Sequence, residues 1–406
     1  MSVGQFDRRD LLKGAAAAIP ATLGTRAGAI LTPASSRLLV VFLRGAYDAL
    51  NAVIPTGSDF YYEARPDIAI ARPAVGNEDA AIPLNGDWAL HPALAPTIGR
   101  LWQAKQVAFI PFAGSSDITR SHFAAQDLME MAQPSAVTRS YGSGFLGRLA
   151  HVLVGARPIS FTKVLPLCFE GGPMIQNLAL DRTDIDDGLT DADAASIAAL
   201  YMQEAGAPGD GLHAAAVAAL SARRDLVRNL QTSGDASFRR QFGFDGVGRQ
   251  MGRLMRDRFN LAFIDMGGWD THVNQGSAKG QFATQLRRLG SGLAAFVEEI
   301  GPAAWRDTVV VVLSEFGRTF RQNGDGGTDH GHGSIYWILG GGIAGGRLAG
   351  PQVRIGPDIL HEGRDLPVLT DYRACLGDII QRQYDLSSQQ IETIFPNLVR
   401  RTFGLL

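Results

Sequence analysis

The chain has 406 residues, 46% of them hydrophobic and 19% charged, with a formal net charge of −2. This is length and apolar content enough for a sizeable core in a soluble globular protein. Acidic and basic residues nearly balance and no basic stripe is visible, so recognition of nucleic acid through phosphate neutralisation is excluded.

In chain order, the first feature is Asp7-Arg8-Arg9-Asp10-Leu11-Leu12-Lys13, paired arginines ahead of a short apolar stretch. It resembles the twin-arginine export signal, an address read by the twin-arginine translocase. The alanine-rich run 14–24 is too short to span a bilayer, and Ala27-Gly28-Ala29 offers small residues for cleavage. Residues 1–29 are thus expected to be a signal peptide. Removing its four basic and two acidic residues leaves a mature chain near −4, periplasmic or secreted. No later segment holds eighteen uninterrupted apolar residues, so the mature protein is expected to lack a stable membrane span.

Short apolar runs at 38–43, 107–112, 261–265, 308–313 and 335–339 read as buried parallel strands. Helical patterns cover 93–105, 121–131, 194–204, 214–230 and 281–300. The alternation predicts an α/β fold, a doubly wound and mostly parallel central sheet with helices on both faces. One domain is expected over 37–406, with a helical insertion at about 170–250 where no strand is visible. Cys168 and Cys375, far apart and in no CxxC, are expected to be buried, unlinked thiols, which rules out a thiolate zinc cluster.

In such sheets ligands gather beyond the carboxyl ends of the strands. The polar residues of this chain collect there: Arg44 to Asn51 after the first strand, Ser115 to His122 after the second, Gly267-Gly268-Trp269-Asp270-Thr271-His272 after the third. The fourth is followed by Ser314-Glu315-Phe316-Gly317-Arg318 and then Thr328-Asp329-His330-Gly331-His332-Gly333. Carboxylate oxygens mixed with imidazole nitrogens suit zinc or manganese, and Asp48, Asp270, His272, Glu315, Asp329, His330 and His332 would serve one or two divalent ions. Asp270 with His272, and His330 with His332, lie two residues apart, so an extended loop turns both of a pair to one ion. For Asp48 the competing role is a helix cap. His91 and His122 are further polar candidates near these loops, suited to orienting other groups.

At 307–317 the run ending Leu313-Ser314-Glu315-Phe316-Gly317 resembles the metal-binding strand of the alkaline phosphatase and sulfatase superfamily. The helix opening at Thr370-Asp371-Tyr372-Arg373 resembles that superfamily's closing segment. Over nearly all of 37–400 the motif order is similar to an uncharacterised family of twin-arginine-exported proteins within it. The resemblance implies Asp48 as first metal aspartate, Ser121 as nucleophile at the start of the helix after strand two, and Asp270, His272, Glu315 with His330 or His332 as further ligands. Phe316 stands where that superfamily has a histidine ligand, and Glu315 replaces an aspartate. The implied activity is metal-dependent hydrolysis of a small anionic phosphate or sulfate ester, with Ser121, Arg120 and His122 catalytic and Arg44 and Arg318 on the substrate. The alternative is an exported metal- or ligand-binding protein without turnover.

Overall fold

A computed structural model describes residues 36–133, 141–173, 175–180 and 243–406. The main sheet is built from β1 (Arg37–Leu43), β2 (Val107–Gly114), β3 (Pro158–Ser160), β4 (Gln176–Asn177), β5 (Leu261–Met266), β6 (Thr308–Leu313), β7 (Ser334–Gly340), β8 (Arg347–Leu348) and β9 (Thr370–Asp371). Its order is β8-β2-β7-β6-β1-β5-β3-β4, with β9 also on β2. The first, third and fourth expected strands meet at the centre: β1 pairs in parallel with β5 and with β6. The fifth departs from expectation, since β7 runs antiparallel to both β6 and β2. The sheet is therefore mixed but mostly parallel.

Continuous burial of strands such as Leu38-Leu39-Val40-Val41-Phe42-Leu43 follows from cover on both faces. Leu39, Val41 and Leu43 join one core with Leu286, Leu289, Leu293 and Phe296 of helix α4 (Gln281–Arg306) and Met251 of α3 (Phe244–Asp257). Leu38, Val40 and Phe42 join the other, against α1 (His122–Met131), α2 (Phe145–Val152), α5 (Tyr372–Gln383) and α6 (Ser388–Ile394). Asp371 caps α5 by accepting the Arg373 N–H.

Several boundaries differ from the sequence reading. The pattern at 93–105 resolves into a 3-10 turn, Pro92–Leu94, and a helix, Ile98–Gln103, separated by the non-helical Thr97. α4 runs past 300 to Arg306, crossing a break at Gly301 (φ 77°) ahead of Pro302. β3 and β4 were not legible: one opens on proline and each is two or three residues long. The helical patterns at 194–204 and 214–230, and residues 1–29, lie outside the described residues. Cys168 and Cys375 are free and buried in the second core. Among the described residues no helix is long and apolar enough to cross a membrane.

Candidate metal centre

The carboxyl ends of β1, β5 and β6 open side by side, because the three strands are parallel neighbours. The loops leaving them are tied together tightly. Gly45 (φ 112°) follows β1, and a Cβ there would stand 2.8 Å from the Asp270 amide nitrogen, so only glycine lets the two loops touch. Beyond β6, residues 317–319 pair with 329–332 as a short antiparallel ribbon, Thr319 N–H to Asp329 O at 2.9 Å and Gly331 N–H to Gly317 O at 2.8 Å. A Cβ on Gly331 would lie 2.3 Å from the Arg318 carbonyl carbon. The loop after β5 is pinned to this ribbon through Thr328 N–H to Thr271 O at 3.2 Å and Asn323 Nδ2 to His272 O at 2.9 Å.

This clamp brings four side chains together. Nε2 of His122 lies 3.0 Å from Nε2 of His330, which lies 3.1 Å from Nε2 of His272. Asp270 completes the group: Oδ1 is 2.9 Å from His272 Nε2 and 3.2 Å from His330 Nε2, and Oδ2 is 3.4 Å from His122 Nε2. His122, Asp270 and His330 offer atoms that all lie within 4.8 Å of one another, a possible metal-binding cluster. Metal–ligand bonds of roughly 2.0–2.1 Å place adjacent donors about 3.0–3.4 Å apart, which the separations among these three match, while His272 adjoins His330 and Asp270 outside that group.

The protonation pattern fits as well. His330 Nδ1 faces the carbonyl of Arg120 at 3.0 Å, which only accepts, so that nitrogen carries the hydrogen. His122 Nδ1 faces Glu315 Oε1 at 2.8 Å, and His272 Nδ1 faces Asp329 Oδ1 at 3.2 Å. With every Nδ1 donating, each neutral ring turns a bare lone pair toward the others and toward Asp270. Lone pairs meeting at 3.0 and 3.1 Å repel unless a cation or a proton lies between them. Carboxylate or carbonyl behind a ligating imidazole is the usual arrangement of a metal histidine.

The shifts in acidity follow these contacts. The Glu315 bond raises the His122 pKa against the effect of burial. Burial, then the neighbouring His122, lowers that of His330. Burial favours protonated Asp270, but Arg318 outweighs it and holds the carboxyl below its ordinary value. Glu315 is likewise held low against its burial, by His122 and Gln126.

The structure thus groups Asp270 and His330 with His122 and sets His272 beside them. Glu315 and Asp329 stand one step back, behind His122 and His272. Glu315 is buried and fully engaged, accepting from Gly45 N (2.8 Å), Gln126 Nε2 (2.9 Å) and Ser314 Oγ (2.8 Å) besides His122. Phe316 is the floor: the His122 ring stacks on it at 5.0 Å, and the His330 ring lies 5.4 Å away.

Asp48 and His332 are not brought to the cluster. Asp48 is buried, with Oδ2 held at 2.6 Å by Arg65 Nη1 and at 2.6 Å by Gln275 Nε2. Arg65, itself buried, is further fixed by the carbonyls of Phe320 and Thr319. A buried carboxylate needs a positive partner, and here a guanidinium supplies it permanently. The His332 ring packs instead against His361 at 4.9 Å.

The arginines also have occupations. Arg318 holds Asp270 Oδ1 and both polar oxygens of Thr328. Arg44 spreads its fork over Asp265, Gln126 (2.8 Å) and Glu130 (2.7 Å). Arg120 pairs with Asp365 at 2.8 Å and with Glu362. Ser121 occupies the N-cap position of α1 yet makes no side-chain cap bond, and Arg120 before it is left-handed (φ 53°). His91 lies elsewhere, capping the Pro92–Leu94 turn.

Sequence reasoning gave His122 a catalytic or orienting role and not a place in the cluster, although it directly follows Ser121 at the start of α1. Arg65, Gln126 and Gln275 carried no signal, being polar residues on elements whose packing was not known in advance.

A family model described as "Protein of unknown function (DUF1501)" matches residues 35–395. No curated protein matches the chain. Among solved structures, a protein in the alkaline phosphatase superfamily from Vibrio parahaemolyticus is similar at 11% identity and TM-score 0.35, over 85% of this chain and 71% of that one. Ps i-CgsB, solved with k-i-k-neocarrahexaose, is similar at 10% identity and TM-score 0.39, over 87% and 73%. A 2-O GAG sulfatase, BT1596, is similar at 8% identity and TM-score 0.37, over 90% and 76%. No side-chain role passes from these structures to this chain.

Proposed function

Given that the chain belongs to the DUF1501 family, we propose that it is an exported metal-dependent hydrolase of phosphate or sulfate esters. One divalent ion, zinc or manganese, is held by His122, Asp270 and His330, with His272 beside them. The observation that carries the metal is the common orientation of three imidazoles, each with Nδ1 on an acceptor and Nε2 turned to Asp270. Nitrogen donors with a single carboxylate suit those two metals. When bound, such an ion polarises an ester oxygen and acidifies a nearby hydroxyl.

The chain's own residues supply the rest. Glu315 and Asp329 fix the tautomers of His122 and His272, and Arg318 fixes Asp270. Ser121 is the candidate nucleophile: it lies between Arg120, whose carbonyl receives His330, and His122. Its hydroxyl is not spent on the helix end, and the residue before it is held in a costly backbone conformation, a frequent feature of reactive turns. The paired pattern at Arg8-Arg9 supports export by the twin-arginine translocase to the periplasm or beyond.

A second reading, a metal-binding protein without turnover, is favoured by one observation: Arg44 and Arg318 are both spent on protein carboxylates, leaving neither to grip an anionic ester. Metal analysis of the purified chain, followed by assays on phosphate and sulfate esters with and without chelator, separates the two. The hydrolase reading expects one ion per chain and chelator-sensitive turnover that Ser121→Ala abolishes. Metal without turnover on any ester selects the second reading, and a metal-free protein defeats both.

A further inference from the structure

His330 is gripped from two sides by arginines that share one buried carboxylate. Its ring Nδ1–H is accepted by the Arg120 carbonyl at 3.0 Å, and its own backbone carbonyl accepts from Arg364 Nη2 at 2.8 Å. Both guanidiniums converge on a single oxygen, Asp365 Oδ2: Arg120 donates from Nε at 3.1 Å and from Nη2 at 2.8 Å, Arg364 from Nη1 at 3.2 Å. We propose that Asp365 is the positioning residue of the cluster, fixing the His330 imidazole through Arg120 and Arg364 without touching it. The consequence for metal affinity rests on the metal reading above, whereas the orientation of the ring does not.

The backbone plants Asp365 on the ribbon beyond β6. His361 and Asp365 exchange N–H to O bonds of 2.9 and 3.0 Å across a turn that carries Glu362 (φ 54°) and Gly363 (φ 67°). That turn is stitched to the ribbon through Phe320 N–H to Arg364 O at 3.0 Å and through the pairing of Thr319 with Asp365. Arg120 comes from elsewhere, the loop after β2. The Asp365 side chain is 0% exposed, and a carboxylate taken out of water requires positive partners, so the pairing draws that loop onto the ribbon. Glu362, the other partner of Arg120, is 51% exposed, and water screens its pair.

Arg120 needs such an anchor. Its φ of 53° is left-handed, a conformation that an arginine keeps only where its surroundings enforce it. Leaving that conformation turns the carbonyl that accepts from His330. A backbone carbonyl survives any change of side chain, so what Asp365 governs is the direction of this acceptor and not its existence. Without the acceptor in place, either ring nitrogen of His330 can carry the hydrogen. The Nε2 lone pair is then no longer committed to the space it shares with His122 Nε2 at 3.0 Å and Asp270 Oδ1 at 3.2 Å.

The test uses the full chain, metal-free and carrying isotope-labelled histidine, at about pH 8, above the ordinary imidazole range. Nuclear magnetic resonance reports which ring nitrogen holds the hydrogen. The native chain is expected to show His330 as one tautomer, with its Nδ1–H protected from exchange with water. In Asp365→Asn and in Arg120→Ala that protection is expected to be lost and the ring to average over both tautomers, while Glu362→Gln keeps the native signal. Zinc affinity by chelator competition is expected to fall about tenfold or more in the first two and to stay within about twofold in the third. A native tautomer or native zinc affinity in Asp365→Asn and Arg120→Ala overturns the proposal, even where stability drops, because a merely structural carboxylate lowers stability without turning the ring. An equal loss in Glu362→Gln overturns it too, since the buried carboxylate would then have no special part. If Asp365→Asn does not fold, Arg120→Ala decides alone, its side chain being 26% exposed. A native chain that takes up no zinc defeats the metal reading and leaves the tautomer measurement standing, so the two failures are distinct.

Discussion

Glu315→Gln isolates the charge behind His122 from the geometry around it. In the native chain Glu315 Oε1 accepts from Gly45 N, Gln126 Nε2 and His122 Nδ1, and Oε2 meets Ser314 Oγ at 2.8 Å. Ser314 also reaches the Leu43 carbonyl at 2.6 Å, and its single hydrogen serves one of these two oxygens at a time. A glutamine carbonyl retains the first three bonds. Its amide donates to the Ser314 oxygen, freeing that hydroxyl for Leu43. The amide's second hydrogen has no acceptor in this buried position, so stability is expected to fall by about 1–3 kcal/mol. The bond to His122, however, ceases to be charge-assisted, and the imidazole becomes a weaker donor to a cation. Losing such a partner typically costs about 10–100-fold in metal affinity, roughly 1.4–2.7 kcal/mol. Chelator competition measures the affinity, and thermal unfolding of the metal-free protein confirms the fold. Glu315→Ala serves as contrast, leaving the Gly45 N–H and His122 Nδ1–H without an acceptor at about 1–3 kcal/mol each. Wild-type metal affinity in Glu315→Gln would refute the orienting role of this carboxylate.

Other outcomes follow from the same geometry. His122→Ala and His330→Ala each remove a donor and are expected to abolish stoichiometric binding by metal analysis, while Asp48→Ala leaves one ion per chain. Asp48→Ala instead strands the buried Arg65 and is expected to cost about 3–5 kcal/mol in denaturant unfolding, much of it recovered in the double variant Asp48→Ala/Arg65→Met. His91 is held to a pKa of about 4, chiefly by burial. Its Nδ1 accepts the Ala93 N–H and its Nε2 faces the Ser277 carbonyl, so a second proton must displace the first of these bonds. The folded pKa lies below the unfolded value of about 6.5, so the unfolded chain binds more protons between the two. Stability is complete above about pH 6.5 and declines toward pH 4, by up to roughly 3 kcal/mol, a slope that denaturant midpoints will show flattened in His91→Asn. Replacing Arg8 and Arg9 together by lysine is expected to retain the precursor inside the cell, as fractionation will reveal.

Runs such as Val309-Val310-Val311-Val312-Leu313 needed no tertiary information, because uninterrupted β-branched burial has few other uses than a central strand. From them came the α/β class, the central strands and the gathering of polar residues, Asp270, His272 and His330 among them, beyond strand ends. The antiparallel direction of β7 was not legible, since a buried strand reads alike in either sense. Nor was the division of labour among the polar residues. Whether Glu315 ligates or orients, whether Asp48 meets an ion or the guanidinium of Arg65, and whether His122 or His332 supplies a nitrogen all turn on separations of a few ångströms. Those separations are set where distant loops are pressed together by Gly45 and Gly331, and residue order carries no measure of them. Composition and periodicity report how each segment buries itself against water, whereas the pairing of charges is decided only once the segments have met.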